Sequence, residues 1–538
     1  MSVTVKPTPA NRPQISAQDD RDHYTCIVMG AGISGMAVAI QLKRQFGLED
    51  VLVYEKTGDI GGTWNVNRYP GAACDIPFTF YSFSFYPAYR AETTKTEWAG
   101  RTEIMHYLHE VQDKYSLHNI VFHTLVTSAT FSRSTGLWHL TIEDLSTGET
   151  RHRTCNILLS CLGGLTIPNR PPFDPKKFEG EVFHSAEWPE GVEIKDKKVV
   201  VVGNGCSAAQ IIPEIYQQAK SVTQVARSRQ TFFKRITVPD RPFLRFLMHY
   251  IPGVGRLLRA LMFFVTESLW KVSDIQKGAK GRAQSEKELL AHMQETTPNR
   301  YWDFLGADFD VGAKRRVFDA GYYHSLNEPN VELIADDSLE RAEGNKVFTK
   351  KGRELEADVV VLATGFRVRD YLFPMKVTNG EGESLQERMD QTGVKTYQGT
   401  VVSSFPNFFW FLGPNTATNH SSVLFTTEAQ IALTFHLIRP VLAKLRQVKL
   451  VKPAPYVEVR REAEDRYYAE LRKRMKGMVW ENKGGVAWYV DKATGLCTAL
   501  YPWTQLHFWR RCTYPNYGDF KWTNCSGPWT WRSYLGWW

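Results

Sequence analysis

The sequence has few cysteines and lacks long apolar runs and blocks of like charge. Eight cysteines in 538 residues form no C-x-x-C pair, which argues against a zinc site and a disulfide scaffold. The longest apolar stretch, Leu257–Val265, is too short for a transmembrane helix and contains Arg259, so we expect a buried or interfacial helix there. The net charge of +9 is dilute, so nucleic acid is not the expected partner.

What is present describes a packed protein of several domains. Hydrophobic residues make up 43% and charged residues 23% of a chain that is several times longer than one core usually supports. The first residues, 1–23, carry proline and polar side chains where a secretory signal would need an apolar segment, which predicts a loose tail and a cytoplasmic location.

A strand–turn–helix pattern opens the ordered chain. The apolar run Tyr24–Met29 ends at the spaced glycines Gly30, Gly32 and Gly35, a helical pattern follows, and a second apolar run occupies Val51–Tyr54. This order predicts a βαβ unit whose glycine turn and helix start bind a pyrophosphate.

Glu55 comes directly after the second strand of this unit. Its carboxylate can accept hydrogen bonds from both ribose hydroxyls and would repel a 2′-phosphate. The first site therefore fits FAD, whose adenosine ribose carries no phosphate at that position.

The same pattern recurs in the middle of the chain. The strand-like run Lys198–Val202 leads into Gly203–Ala208 and an apolar helix start. Cations, Arg227 and Arg229, stand where the first unit has its acid, which favours the 2′-phosphate of NADPH over NADH. The alternative is that both arginines are solvated loop charges.

These patterns predict an α/β fold with two Rossmann-like dinucleotide-binding domains and an inserted helical subdomain. Nine of the sixteen tryptophans lie from Trp480 onward, so the C-terminal quarter either packs against the body or forms an exposed patch. The expected divisions are a disordered tail (1–23), a discontinuous FAD-binding domain with the aromatic-rich extension (24–165 and 358–538), an NADPH-binding domain (166–234 and 313–357) and the helical insertion (235–312).

Three further motifs occur in a characteristic order. They are Gly61-Gly-Thr-Trp64 followed by Asn67-Arg-Tyr-Pro-Gly71 and Cys74-Asp75, then Phe178-x-Gly180-x-x-x-His184-x-x-x-Trp188-Pro189, and finally Ala363-Thr-Gly-Phe366. The middle motif would arise by chance in roughly one chain in ten thousand. Together the motifs resemble those of the class B flavoprotein Baeyer–Villiger monooxygenases over residues 24 to 425.

The resemblance implies an enzyme that inserts one oxygen atom of O₂ beside a ketone carbonyl, giving an ester or lactone. In such enzymes NADPH reduces FAD, and the reduced flavin captures O₂ as a peroxide anion that attacks the ketone. A fixed positive charge near the flavin is required. The resemblance assigns this charge to Arg315, a nicotinamide-cofactor contact to Lys314, and orientation of the arginine and contact with the flavin to Asp75. Without the resemblance, Lys314–Arg316 would be interpreted as a solvated basic run and Asp75 as a helix cap.

The resemblance also implies a set of cofactor contacts. This sequence departs from the family at three positions, because Asn65 and Val66 replace aromatic residues and Ala73 replaces a frequent arginine. The expected cofactor-binding residues are Gly30, Gly32, Gly35, Glu55, Thr63, Trp64, Asn65, Val66, Asp75, Tyr81, Val126, Gly203, Asn204, Gly205, Cys206, Ser207, Ala208, Ala209, Gln210, Arg227, Ser228, Lys314 and Arg315.

Two residues invite a chemical role that the sequence does not favour. His184 lies at a proline-rich crossing between domains, so we expect a hinge rather than a general base. Cys206 opens a helix, where a thiol pKa falls, but a bound pyrophosphate would raise that pKa again, so we expect a small packing residue.

Three alternatives to Baeyer–Villiger chemistry remain open. A related class B enzyme oxidises nitrogen or sulfur, but normally lacks the Trp188-Pro189 ending. A disulfide reductase needs a close redox cysteine pair, which is missing here. A non-catalytic binding protein on a flavin fold is disfavoured by two intact glycine turns.

Overall fold

The protein was analysed as a computed structural model, which describes residues 14, 16–90, 98–235, 242–368, 370–447, 452–481 and 487–528. Most of the predicted tail and the tryptophans 529, 531, 537 and 538 lie outside this part of the chain. Where the tail is described it contacts the first sheet, because the Asp19 carboxylate accepts hydrogen bonds from Tyr24, Tyr54 and Arg153.

Strands and helices alternate along the whole described chain. The strands of the described residues are β1 (His23–Met29), β2 (Val51–Tyr54), β3 (Ile120–Val121), β4 (Thr124–Ser132), β5 (Leu137–Asp144), β6 (Thr150–Ser160), β7 (Glu181–His184), β8 (Lys198–Val202), β9 (Ser221–Ala226), β10 (Phe232–Lys234), β11 (Val317–Asp319), β12 (Val331–Ala335), β13 (Leu339–Glu343), β14 (Lys346–Thr349), β15 (Glu354–Glu356), β16 (Val359–Leu362), β17 (Lys376–Thr378), β18 (Phe408–Trp410), β19 (Tyr456–Val459) and β20 (Phe520–Thr523). The α-helices are α1 (Ile33–Phe46), α2 (Thr63–Val66), α3 (Arg101–Lys114), α4 (Cys206–Ile215), α5 (Pro242–Tyr250), α6 (Val254–Ser268), α7 (Ala279–Thr296), α8 (Trp302–Leu305), α9 (Tyr322–Ser325), α10 (Leu385–Thr392), α11 (Val423–Gln447), α12 (Arg461–Met475) and α13 (Gln505–Thr513).

The first sheet has the strand order β17-β4-β5-β6-β1-β2-β3, with β18 also pairing with β6. Strand β1 lies between β6 and β2 and runs parallel to both, as a Rossmann unit requires. Strands β4, β5 and β6 pair antiparallel. The sequence of this region shows a mixed strand and loop pattern without separating the individual strands. Helices α1 and α11 pack together on this sheet, with the rings of Phe46 and Phe435 4.9 Å apart.

The second sheet is entirely parallel, in the order β12-β9-β8-β16-β7. Its strands are valine-rich and buried, as strands covered on both faces are. Helices α5 to α8 lie between β10 and β11, outside the sheet order. The predicted α/β class with two Rossmann-like units and a helical insertion is confirmed.

Some tryptophans of the C-terminal quarter are buried and others are exposed. Trp480 is buried in the core of the first sheet, whereas Trp488 and Trp509 are 41% and 38% exposed. No helix among the described residues combines the length and apolar character needed to cross a membrane. Nor do these residues bring together a cluster of side chains that could hold a metal ion.

Candidate active site

The first glycine turn connects β1 to α1. A Cβ at Gly35 would lie 1.8 Å from the carbonyl oxygen of Gly30, so the helix approaches the turn as closely as only glycine allows. Gly32 is the N-cap of α1 and no side chain caps the helix. The first amides of α1 therefore remain available to a pyrophosphate.

Glu55 braces this turn. Its buried carboxylate accepts hydrogen bonds from the Ala31 amide at 2.7 Å and from the Thr57 amide and hydroxyl at 2.9 and 2.8 Å. A carboxylate oxygen carries two lone pairs, so Oε1 is filled by the two Thr57 bonds, whereas Oε2, which accepts only from Ala31, can still accept a ribose hydroxyl. The acid thus fixes the turn and keeps its capacity to bind a ribose.

The second glycine turn connects β8 to α4, and the space in front of it is open. Gly205 is the N-cap of α4 without a capping side chain, and a Cβ there would meet no atom within 4 Å. Residues Cys206 to Gln210 form the first turns of the helix. The Asn204 amide donates to the carbonyl of Ser228 at 3.0 Å, which ties this turn to the end of β9. Both turns therefore fit a dinucleotide.

The two arginines after β9 have different surroundings. Arg229 forms an ion pair with Asp303 at 3.2 Å and also donates to the Asp303 carbonyl. Arg227 is exposed and has no ion-pair partner within the part of the chain that the structure describes. Arg227 is therefore the cation available to a 2′-phosphate, and Arg229 joins the nucleotide unit to the helical insertion.

Arg315 forms the central ion pair of the candidate site. Its Nη2 and Nε atoms donate to one oxygen of Asp75 at 2.6 and 3.1 Å, although 240 residues separate the two side chains. The Asp75 carboxylate raises the pKa of the guanidinium, which stays charged at every physiological pH. A third of the Arg315 side chain is exposed, so a bound molecule can reach it.

The Cys206 thiol lies beside this pair. Burial and the Asp75 carboxylate raise the pKa of the thiol to about 11, although Arg315 opposes the rise. The thiol is therefore protonated and unreactive at neutral pH. Its position at the start of α4 places Arg315 and Asp75 next to the second glycine turn.

Lys314 turns away from Arg315. It is buried, donates to the carbonyl of Arg229, and lies 4.3 Å from the centre of the Phe309 ring. Burial lowers the pKa of its ammonium. Lys314 therefore adds a positive charge next to the loop that carries Arg227.

The segment from Tyr69 to Asp75 packs against α4, the helix of the second glycine turn. The Tyr69 hydroxyl donates to the Gln210 side chain at 2.9 Å, and that side chain donates to the carbonyl of Ala73 at 3.0 Å. Gly71 has a φ of +78°, and a Cβ there would lie 2.4 Å from the Gln210 carbonyl oxygen. Asp75 is thereby held at a fixed distance from α4.

The residues expected around FAD occupy two different environments. Trp64 donates its indole N–H to the Tyr81 hydroxyl at 3.1 Å, and Thr63 is exposed beside it. The buried Asn65 amide instead donates to Thr57 and to the Asp59 carbonyl, so it supports the turn from within the protein. Val66 is half-buried in α2.

Val126 lies in β4 on the first sheet. Its side chain is buried in the core, which leaves its main chain as the group able to contact a ligand.

His184 uses both ring nitrogens within the protein. Nδ1 accepts from the Ala186 amide at 3.1 Å, so Nε2 carries the proton and donates to the carbonyl of Gly365 at 3.0 Å. Burial lowers the pKa of the ring. The neutral imidazole joins the ends of β7 and β16, and neither nitrogen is free to act as a base.

Sequence reasoning missed the side chains that hold the loop before Arg315. The buried Trp480 indole donates to the carbonyl of Gly312 at 3.0 Å, and Asn419 donates to the same oxygen at 3.1 Å. The buried Tyr489 hydroxyl donates to the carbonyl of Ala313. The one signal in the sequence was the density of aromatic residues near the C-terminus. That density does not reveal that these residues contact the loop before Arg315.

The chain matches known flavin enzymes over most of its length. Residues 24–254 match the family model for flavin-binding monooxygenase-like proteins. A Baeyer–Villiger monooxygenase from Streptomyces coelicolor is 30% identical over 505 residues, which cover 91% of each chain. Another from Pseudomonas aeruginosa is 29% identical, over 93% of this chain and 90% of its own.

Solved structures extend the similarity to three dimensions. An oxidised steroid monooxygenase bound to NADP superposes with a TM-score of 0.78 and 25% identity, covering 93% of this chain and 99% of the other. A cyclohexanone monooxygenase shares the fold, with a TM-score of 0.79 at 22% identity. Since these similarities span both nucleotide units and the helical insertion, the chain belongs to the Baeyer–Villiger group of the flavin-binding monooxygenases.

Proposed function

We propose that this protein is an FAD- and NADPH-dependent Baeyer–Villiger monooxygenase that uses Arg315 as its fixed catalytic cation. It inserts one oxygen atom of O₂ beside a ketone carbonyl to give an ester or lactone. FAD, once reduced by NADPH, supplies the activation of O₂. The observation that carries the proposal is the Arg315–Asp75 ion pair beside Cys206, at the second glycine turn.

Arg315 provides positive charge without providing a proton. Oxygen insertion proceeds through negatively charged oxygen, which a nearby cation stabilises. A lysine could release its proton to that oxygen, whereas a guanidinium does not. Asp75 raises the pKa of Arg315 further and fixes the direction of its side chain.

Asp75 acts as the positioning residue of this pair. The close packing of Gly71 on α4 and the Gln210 contact with Ala73 hold the segment that ends at Asp75. The guanidinium is thereby set relative to the second glycine turn. Such preorganisation is what makes a charged group effective in stabilising a developing charge.

The nucleotide preference follows from the loop after β9. We assign the 2′-phosphate of NADPH to Arg227, with Lys314 and Ser228 beside it, because Arg229 is already paired with Asp303. For FAD we assign the first glycine turn and Glu55, with Trp64 and Tyr81 nearby. The cytoplasmic location stays a prediction from the sequence.

The decisive experiment separates reduction from oxygen insertion. The purified protein is expected to be yellow, to oxidise NADPH faster than NADH, and to convert a ketone to an ester. Arg315→Ala should retain flavin reduction and lose oxygen insertion by a hundredfold or more, on the order of 3 kcal/mol for one charge contact. Arg315→Lys keeps the positive charge but carries a proton that it can release, so it tests whether charge alone is sufficient for oxygen insertion.

Two outcomes would contradict the proposal. Formation of an N-oxide or S-oxide with every ketone untouched would favour the related class B chemistry. Full oxygen insertion by Arg315→Ala would show that another group stabilises the anion.

A further inference from the structure

The hairpin of α5 and α6 exposes a stripe of large apolar side chains. Each is between 52% and 65% exposed, and on α6 they recur at the three- and four-residue spacing of one helix face. The stripe comprises Phe246, Tyr250, Leu257, Leu261, Phe264 and Val265. We call it the hairpin stripe.

The opposite face of the hairpin is firmly attached to the protein. A Cβ at Gly255 would lie 2.3 Å from the Tyr89 ring, so α6 approaches the body closely. Arg259 donates to the Ser82 hydroxyl and carbonyl at 2.8 and 3.0 Å, and the Phe263 ring lies 4.7 Å from that of Phe425. The outward direction of the hairpin stripe is therefore set by these contacts.

The sequence that carries the hairpin stripe is rich in positive charge. Residues 241–282 contain eight lysines and arginines and only two acids, in a chain whose net charge is +9. Both acids are engaged within the protein, since Glu267 contacts His420 at 3.1 Å and Asp274 forms an ion pair with Arg474 at 2.6 Å. The exposed cations of this region include Arg256, Lys271, Lys277 and Lys280.

We propose that the hairpin stripe docks on an anionic lipid surface. Aromatic and aliphatic side chains bordered by cations match the acyl boundary and the anionic headgroups of a bilayer interface. The two helices have 9 and 15 residues, fewer than the roughly 20 that cross the hydrocarbon core, so the hairpin lies in the interface.

The charge pattern favours lipid over a second copy of this chain. In a symmetric dimer through this face the cations of one hairpin would meet those of the other, without exposed acids on the described part of residues 241–282 to balance them. An anionic membrane instead supplies the opposite charge.

Docking would bring the bilayer close to the candidate active site. Arg259 donates to Ser82, next to Tyr81, and Glu267 contacts His420, which follows the Asn419 that donates to the carbonyl of Gly312 before Arg315. If the proposed function is correct, the enzyme takes lipophilic ketones from the membrane. The docking itself rests only on the hairpin.

Vesicle sedimentation of the full-length, FAD-loaded protein tests the docking without turnover. Vesicles of phosphatidylcholine alone are compared with vesicles that also contain phosphatidylglycerol. We expect binding to the anionic vesicles that weakens with salt. The triple variant Leu257→Ser/Leu261→Ser/Phe264→Ser should lose about a hundredfold in affinity, because three exposed apolar side chains no longer enter the interface.

Matched controls use surface positions outside the hairpin. Leu145→Ser changes a leucine that is 46% exposed on the β5–β6 turn and should bind vesicles normally. Arg256→Gln should lose about fivefold, as expected for one charge near an anionic surface, whereas Lys473→Gln on α12 should lose nothing.

Each other result overturns the proposal. Absence of binding to anionic vesicles excludes lipid docking, as does equal binding by the triple variant with unchanged FAD content. The oligomeric state is measured by sedimentation equilibrium without vesicles. If the wild type is a dimer and the triple variant is a monomer, the hairpin stripe is an interface between copies. Ketone oxidation is assayed separately, so failure of the proposed chemistry leaves the vesicle result readable.

Discussion

Removing the Tyr489 hydroxyl should release Arg315 from its working position. Tyr489→Phe keeps the buried ring and deletes only the donor to the Ala313 carbonyl, two residues before Arg315. A buried carbonyl left without its partner costs about 1–3 kcal/mol. If that cost falls on the conformation that presents Arg315, oxygen insertion should drop by about 5- to 100-fold.

The assay measures ester formed per NADPH consumed, together with hydrogen peroxide and the rate of flavin reduction. Because the glycine turns are untouched, reduction should stay normal, and the lost ester should appear as peroxide. Tyr397→Phe is the matched control, since its buried hydroxyl donates to Asp519 at 2.8 Å. Both variants should lower stability, but only Tyr489→Phe should lower the yield of ester. Equal yields in the two variants would refute the reasoning.

Three further predictions test the site and the packing of α13. Asp75→Asn should lower ester yield about tenfold with flavin reduction intact, measured as product per NADPH, because the partly exposed ion pair that orients Arg315 is lost. Arg227→Ala should raise the KM for NADPH at least tenfold and leave the KM for NADH unchanged, in steady-state kinetics. Burial lowers the pKa of His507 to about 4 from 6.5, so the free energy of unfolding should fall as pH drops from 6.5 toward 4. His507→Gln should flatten that part of the profile in denaturant titrations, and an unchanged slope would contradict it.

Local pattern was enough to predict the two nucleotide units. In each, a buried strand, a glycine turn and a helix start follow one another within about 20 residues, so the chain itself brings the parts together. The run Lys198–Val202 is a strand with those bounds in the structure. The sequence did not distinguish the antiparallel strands β4 and β5 from loop. In both strands buried residues alternate with polar positions, so there is no continuous apolar run to detect.

Contacts between distant segments could not be predicted in that way. Arg315 and Asp75 were paired only through the family resemblance, because nothing in either neighbourhood indicates the other. Arg229 looked equivalent to Arg227 until Asp303, in the helical insertion, was found against it. Side chains that act through tertiary contacts leave no local periodicity to detect.

The C-terminal segment is the clearest example of such contacts between distant parts of the chain. Trp480 and Tyr489 come from the aromatic-rich quarter of the chain, and they donate to consecutive carbonyls just before Arg315. Asp75 holds the guanidinium from the first nucleotide unit, while these two donors hold the backbone behind it. The position of the proposed catalytic cation therefore depends on three parts of the chain at once, so substitutions far from it in sequence should affect oxygen insertion more than cofactor binding.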